Sequence, residues 1–187
     1  MPPEQRRAAI VDAALDLLAD AGPELTTRMV AEAAGVAEGT LFRVFPTLPD
    51  LLGATYTEFL SRDRLMARLE AVDLGDTLES TTLACVRGIV DYVSHVHAVL
   101  PPPRHDISSA PHVACVRDAH MQRFADLRDW VVTSVAPHAD ALTISPEDYA
   151  HFLKALAIGM AMARPGGLTP EGITRFALDG ARRKYLP

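Results

Sequence analysis

The chain has 187 residues, 49% of them hydrophobic, and a formal net charge of −6 at pH 7, so it can bury a substantial core and is not a uniformly basic nucleic-acid-binding protein. No run of about eighteen uninterrupted apolar residues occurs, which excludes a transmembrane helix. Cys85 and Cys115 are too few for a disulfide framework and lack CxxC spacing, so they read as reduced, buried thiols. The opening MPPEQRR has no apolar signal core, and a cytoplasmic location is expected.

A first helix is predicted from about Glu4 to Ala21. Ile10, Ala13, Ala14, Leu17, Leu18 and Ala21 make an apolar stripe at the 3.6-residue period, and Gly22 with Pro23 ends it. Arg6 and Arg7 stand at its start, within reach of a phosphate, while Asp12, Asp16 and Asp20 fall along one stripe. Over residues 1–50 four arginines face eight carboxylates, so non-specific attraction to DNA should be weak and salt-sensitive. The stretch LTTRMVAEAAGVAEGTLFRVF, residues 25–45, reads as two short helices joined by a glycine turn. Thr26 is suited to cap the first of them, and Gly35 ends it by allowing a left-handed backbone. The second runs from about Ala37 to Phe45 with Leu41, Val44 and Phe45 inward, leaving Ala37, Glu38, Thr40, Phe42 and Arg43 on or near the outer side. Two helices set at an angle by such a turn form a helix-turn-helix, whose second helix enters a DNA major groove.

With RRAAIVDAALDLLADAG before it and PTLPDLL after it, this stretch resembles the N-terminal domain of the TetR family of bacterial transcriptional regulators. The resemblance covers roughly the first fifty residues closely and the rest by length and helical character. It implies a homodimer with two reading heads and C-terminal bodies in which a small molecule releases operator DNA. It implies DNA contacts from Arg28, which matches a contact position in relatives with the TTR sequence, from Thr40, and from Phe42, which replaces a phosphate-donating tyrosine. Chemistry adds Thr27 as a phosphate donor, Glu38 as an acceptor for cytosine N4, and Arg43 as the principal reader on the recognition helix; Thr47 completes the set. Ala37 stands where a capping Ser or Thr is common, and Leu48 where a Lys or Arg often meets the DNA backbone.

Thr47 and Asp50 mark a capping box, with Pro49 tolerated in the first turn, and open a fourth helix expected to run unbroken to about Arg68. Leu51, Leu52, Tyr56, Phe59, Met66 and Leu69 give it a buried face, and the resemblance makes it the hinge between head and body. After the breakers Asp73, Leu74, Gly75 and Asp76, a helix from about Thr77 to Val96 turns Cys85, Ile89, Tyr92, Val93 and Val96 inward. His97 to Pro111 reads as a connection because Pro101, Pro102 and Pro103 cannot continue a helix. His112 to Val135 is again amphipathic, with Val113, Val116, His120, Phe124, Leu127 and Val131 on one face. An effector pocket is therefore expected inside the body, lined by Phe59, Met66, Cys85, Ile89, Tyr92, His120 and Phe124, which suit a hydrophobic or aromatic ligand. The eighth helix opens at Ser145 and Pro146, with Phe152, Leu153, Leu156 and Met160 on one side, and the last opens at Thr169 and Pro170. The resemblance implies that segments 146–163 and 170–186 form the homodimer contact, and the eighth helix, apolar nearly all round, should turn one face to the core and the other to a partner.

His112 and Cys115, three residues apart, are the closest approach to metal-ligand spacing, but HExxH and paired CxxC motifs are lacking, and neither a metal nor a cofactor is expected. Nucleophile elbow, P-loop and GxGxxG patterns are also lacking, so an enzyme is not expected. The expected fold class is all-α: a three-helix helix-turn-helix head over 1–46 and a helical ligand-binding and dimerisation domain over 47–187. The expected function is a ligand-responsive repressor, with operator DNA, a small-molecule effector and a second copy as partners. A scaffold or small-molecule-binding protein of the same fold, without DNA affinity, is the alternative.

Overall fold

Nine α-helices account for most of the described residues, which are 2–21, 25–100, 111–162 and 167–181 of the computed structural model; no strand occurs among them. The helices are α1 (Pro3–Ala21), α2 (Thr27–Ala33), α3 (Glu38–Val44), α4 (Leu48–Phe59), α5 (Arg62–Glu70), α6 (Leu78–Val99), α7 (Pro111–Val135), α8 (Pro146–Met162) and α9 (Pro170–Ala181), with a 3₁₀ segment at Ala136–Ala141. The expected stop of α1 at Gly22 and Pro23, the connection at 101–110, the residues after Met162 up to 166, and the tail from 182 fall outside the described residues. The chain forms two compact units, one of residues 1–64 and 97–121, the other of 65–96 and 122–187.

In the first unit, α1 packs on both α2 and α4, and α2 on α3. Ile10, Ala14, Leu18, Leu25, Val30, Leu41, Phe45 and Leu51 close into one core. Burying each of the larger side chains is worth about 1.5–3 kcal/mol. The helix ends follow local chemistry. Thr26 Oγ1 accepts from the Met29 amide at 3.3 Å, and Gly35 takes φ +64° in the turn to α3. Ala37 caps α3 with no side-chain hydrogen bond, as its methyl requires. At α4 the capping box is complete: the Asp50 amide donates to Thr47 Oγ1 at 3.2 Å, and the Thr47 amide to Asp50 Oδ2 at 3.1 Å.

The single hinge helix expected from Thr47 to Arg68 is instead two. α4 ends at Phe59, and α5 starts at Arg62. Ser61 is the physical reason, because its Oγ accepts from the Arg64 amide at 3.4 Å and so offers a new helix start. Arg64 also reaches back to Glu58 at 3.2 Å, across the break. Met66 accordingly stands on α5, not on the helix that carries Phe59.

In the second unit, Cys85, Val86, Ile89, Tyr92, Val93 and Val96 of α6 are buried, as are Leu127 and Val131 of α7 and Tyr149 and Leu153 of α8. Tyr149 is fully buried, and its hydroxyl is satisfied by Thr82 Oγ1 at 3.0 Å. Trp130 packs closely on α6, since a Cβ built on Gly88 would stand 3.0 Å from its ring. α8 packs on α9, where Ile173, Ala177 and Leu178 are buried.

Candidate functional site

The helix-turn-helix presents Arg28 from the first turn of α2 and Arg43 from the last turn of α3. Both are exposed, and neither has an ion-pair or hydrogen-bond partner among the described residues. Glu38 and Phe42 are exposed on α3, and Thr40 is half-buried beside them. Two hydroxyls assigned to DNA from the sequence are engaged within the head. Thr27 Oγ1 donates to Glu38 Oε1 at 2.8 Å, tying the start of α2 to the start of α3. Thr47 Oγ1 donates to Asp50 Oδ2 at 2.6 Å. To donate to a phosphate, either hydroxyl must first leave a carboxylate.

Arg7 is exposed but engaged. Its guanidinium lies 4.4 Å from the centroid of the Phe45 ring, a cation–π contact that fastens α1 to the end of α3. Leu48, where a phosphate-binding Lys or Arg is common, instead packs half-buried against the head core. Asp12 and Asp16 are exposed, and Asp12 lies 3.8 Å from Arg64, so part of the acidic stripe is offset by the start of α5.

A cleft of about 780 Å³ opens in the same unit between α1 and α4. Val11, Phe45 and Ala54 are among its apolar walls, with Glu4, Asp12 and Glu58 among its carboxylates. This is not where the sequence places an effector.

The residues expected to line an effector pocket divide between the units. Phe59, at the end of α4, and His120 on α7 belong to the first, and both are half-buried. Met66, Cys85, Ile89, Tyr92 and Phe124 belong to the second, where Cys85 and Ile89 are completely buried. Burial pushes the Cys85 thiol up to about 12, against a smaller opposing hydrogen bond from Ser134, so it is an inert thiol at neutral pH. Cys115, by contrast, is exposed, with Thr57 Oγ1 4.0 Å from its sulfur, and corrects the expectation of two buried thiols.

Burial holds the His120 imidazole below its ordinary pKa, and the charge of His97 adds to the effect. A histidine with a lowered folded pKa favours the neutral form. Its contribution to stability is therefore present above the ordinary value near 6.5 and is lost as pH falls through it. The urea midpoint should fall between about pH 7.5 and 5.5. His120→Gln should flatten that slope, and an unchanged slope in the variant would assign the acid sensitivity elsewhere.

A family model described as bacterial regulatory proteins of the tetR family matches residues 10–55, which run from within α1 to within α4. Over those residues the chain is similar to the N-terminal domain of the tetR family of bacterial regulatory proteins. The TetR fold extends through the rest of its length. A TetR-family transcriptional regulator structure from Mesorhizobium loti superposes with a TM-score of 0.65 at 14% identity, covering 98% of this chain and 100% of that one. A transcriptional regulator from Rhodococcus sp. Rha1 gives 0.56 at 22% identity, with 97% and 98% covered. NalD, the secondary repressor of the MexAB-OprM multidrug efflux pump in Pseudomonas aeruginosa, gives 0.52 at 18% identity, with 99% and 100% covered. The matched stretch, residues 10–55, contains the helix-turn-helix of α2 and α3. No helix among the described residues is long and apolar enough to cross a membrane.

Proposed function

We propose that this protein is a homodimeric, cytoplasmic repressor in which residues 1–46 read an operator and residues 47–187 bind a small hydrophobic effector that releases it. The observation that carries the reading is the pair of exposed guanidiniums, Arg28 and Arg43, held on the two short helices of the head without a partner among the described residues. An arginine fork suits a guanine edge or a phosphate, and a helix-turn-helix is the device that brings one into the major groove. Thr40, Phe42 and Glu38 flank them as further contacts, with Thr27 and Thr47 joining only after leaving their carboxylates.

Dimerisation is supported by the apolar side chains left on α8 and α9, with Phe152, Met162 and Phe176 all exposed. Among the described residues, a side chain at Gly159 or Gly180 would meet nothing within 4 Å, which supports room for a partner helix at each. An effector acts by binding more tightly to the body conformation that does not fit DNA, because only a difference in affinity shifts such an equilibrium.

Fluorescence titration with mixed genomic DNA over a salt series tests the DNA-binding half of the reading. A negative slope of log affinity against log salt is expected. Binding that is undetectable at low salt would favour the alternative of a scaffold without DNA affinity, which the acidic head motivates. A small-molecule library screened for release of bound operator tests the effector half independently.

A further inference from the structure

The cleft between α1 and α4 is walled by matching faces of the two helices. Glu4, Arg7, Ala8, Val11 and Asp12 recur on α1 at i, i+3, i+4, i+7 and i+8, and Asp50, Gly53, Ala54, Thr57 and Glu58 do the same on α4. Each face therefore carries a carboxylate-bearing residue at either end, about 12 Å apart along the helix, with mainly small residues between them. Ala8, Gly53 and Ala54 are too small to fill the space, and the volume of about 780 Å³ is that of a small-molecule site.

The two ends of the cleft differ in charge. Arg64 lies 3.8 Å from Asp12 and 3.2 Å from Glu58, so one guanidinium joins these carboxylates at one end. Glu4 and Asp50, eight residues earlier on each helix, stand toward the other. Neither has an ion pair among the described residues, since Asp50 accepts from the amide and hydroxyl of Thr47, which are neutral. Four carboxylates against the guanidiniums of Arg7 and Arg64 leave two negative charges uncompensated. The Phe45 ring in the wall already seats the chain's own Arg7 guanidinium at 4.4 Å, which marks it as a surface that attracts cations. An anion here would meet like charge, and a neutral apolar molecule would take water from the carboxylates and offer them nothing in return.

We propose that this cleft is a binding site for an amphipathic organic cation, with the charged group at the end held by Glu4 and Asp50 and the apolar body along Ala8, Val11 and Ala54. None of the cleft's walls is a residue assigned to the effector of the body, so the site is additional to that reading and does not depend on it.

The test titrates the full chain by calorimetry with octyltrimethylammonium, 1-octanol and octanoate, three probes with one length of tail and different charge. Octyltrimethylammonium should bind about tenfold more tightly than octanol, and octanoate least tightly. The place of binding is read at Cys115, which lines the cleft and is exposed, whereas Cys85 is completely buried, so iodoacetamide alkylates Cys115 selectively in the folded chain. Saturating octyltrimethylammonium should slow that alkylation. Glu4→Gln breaks no contact among the described residues, so it should keep the wild-type Tm and weaken the cation by about threefold, with octanol unaffected. Octanol or octanoate binding as tight as that of the cation overturns the inference, and so does an alkylation rate that the cation leaves unchanged. Failure of the cation to bind, or its wild-type affinity in Glu4→Gln, overturns it as well. The effector of the body stands or falls separately, on whether any library compound releases operator.

Discussion

Arg43→Ala and Arg28→Ala are each expected to weaken operator binding by about 1–3 kcal/mol while helix content and Tm stay at wild-type values. The separation of the two effects follows from the structure. Neither guanidinium has a partner among the described residues, so truncation removes nothing that holds the head together. Arg7 is the contrasting control, because it lies over Phe45 in the head core and its loss should register in stability. Lysine replacements separate the two kinds of contact. A phosphate contact survives Arg→Lys in large part, with its salt slope kept, whereas a forked contact to a guanine edge does not. Anisotropy titrations on operator and on mixed DNA read both. Wild-type operator affinity in both alanine variants would remove these residues from the interface.

Where the fold depends on close neighbours along the chain, residue type and spacing are a sufficient guide to it. Thr26, Gly35 and the Thr47–Asp50 box act within three or four residues, and each does in space what its spacing implies. The break between α4 and α5 is hidden for the opposite reason. Apolar residues continue at helical spacing from Leu51 to Leu69, and one serine is a weak signal against them, yet Ser61 is where a new helix starts. The Thr27–Glu38 bond joins residues eleven apart on different helices, a distance that periodicity cannot bridge. Arg123 and Asp126 are three apart on α7 and so are legible as a pair, but such pairs are usually solvated, and only burial makes this one notable. Helical spacing sets Phe152 and Leu153 on one side of α8, whereas Leu153 is fully buried and Phe152 is exposed.

The largest loss of function is expected from breaking the dimer without harming the protomer. Ala161→Glu is a poor choice, because Ala161 is half-buried and a carboxylate there disturbs the protomer too. Gly159 and Phe176 separate assembly from folding. Among the described residues a Cβ on Gly159 meets nothing within 4 Å, and glycine is a poorer helix former than alanine by about 0.8–1 kcal/mol with leucine close behind alanine, so Gly159→Leu should raise the stability of the isolated protomer. At a close helix-to-helix contact the same side chain occupies the partner's space and drives the copies apart. Phe176 is 55% exposed, so Phe176→Glu costs the protomer little beyond its contact with Arg175, but it puts an unpaired charge into an apolar interface. Both variants should therefore sediment as monomers at micromolar concentration, with Gly159→Leu at unchanged or higher protomer stability. A lone head meets one half-site and loses the effective concentration supplied by its tethered mate, so operator affinity should fall by about 10²–10⁴. A wild-type protein that sediments as a monomer would overturn the assignment of α8 and α9 to the interface, as would variants that remain dimers with full operator affinity.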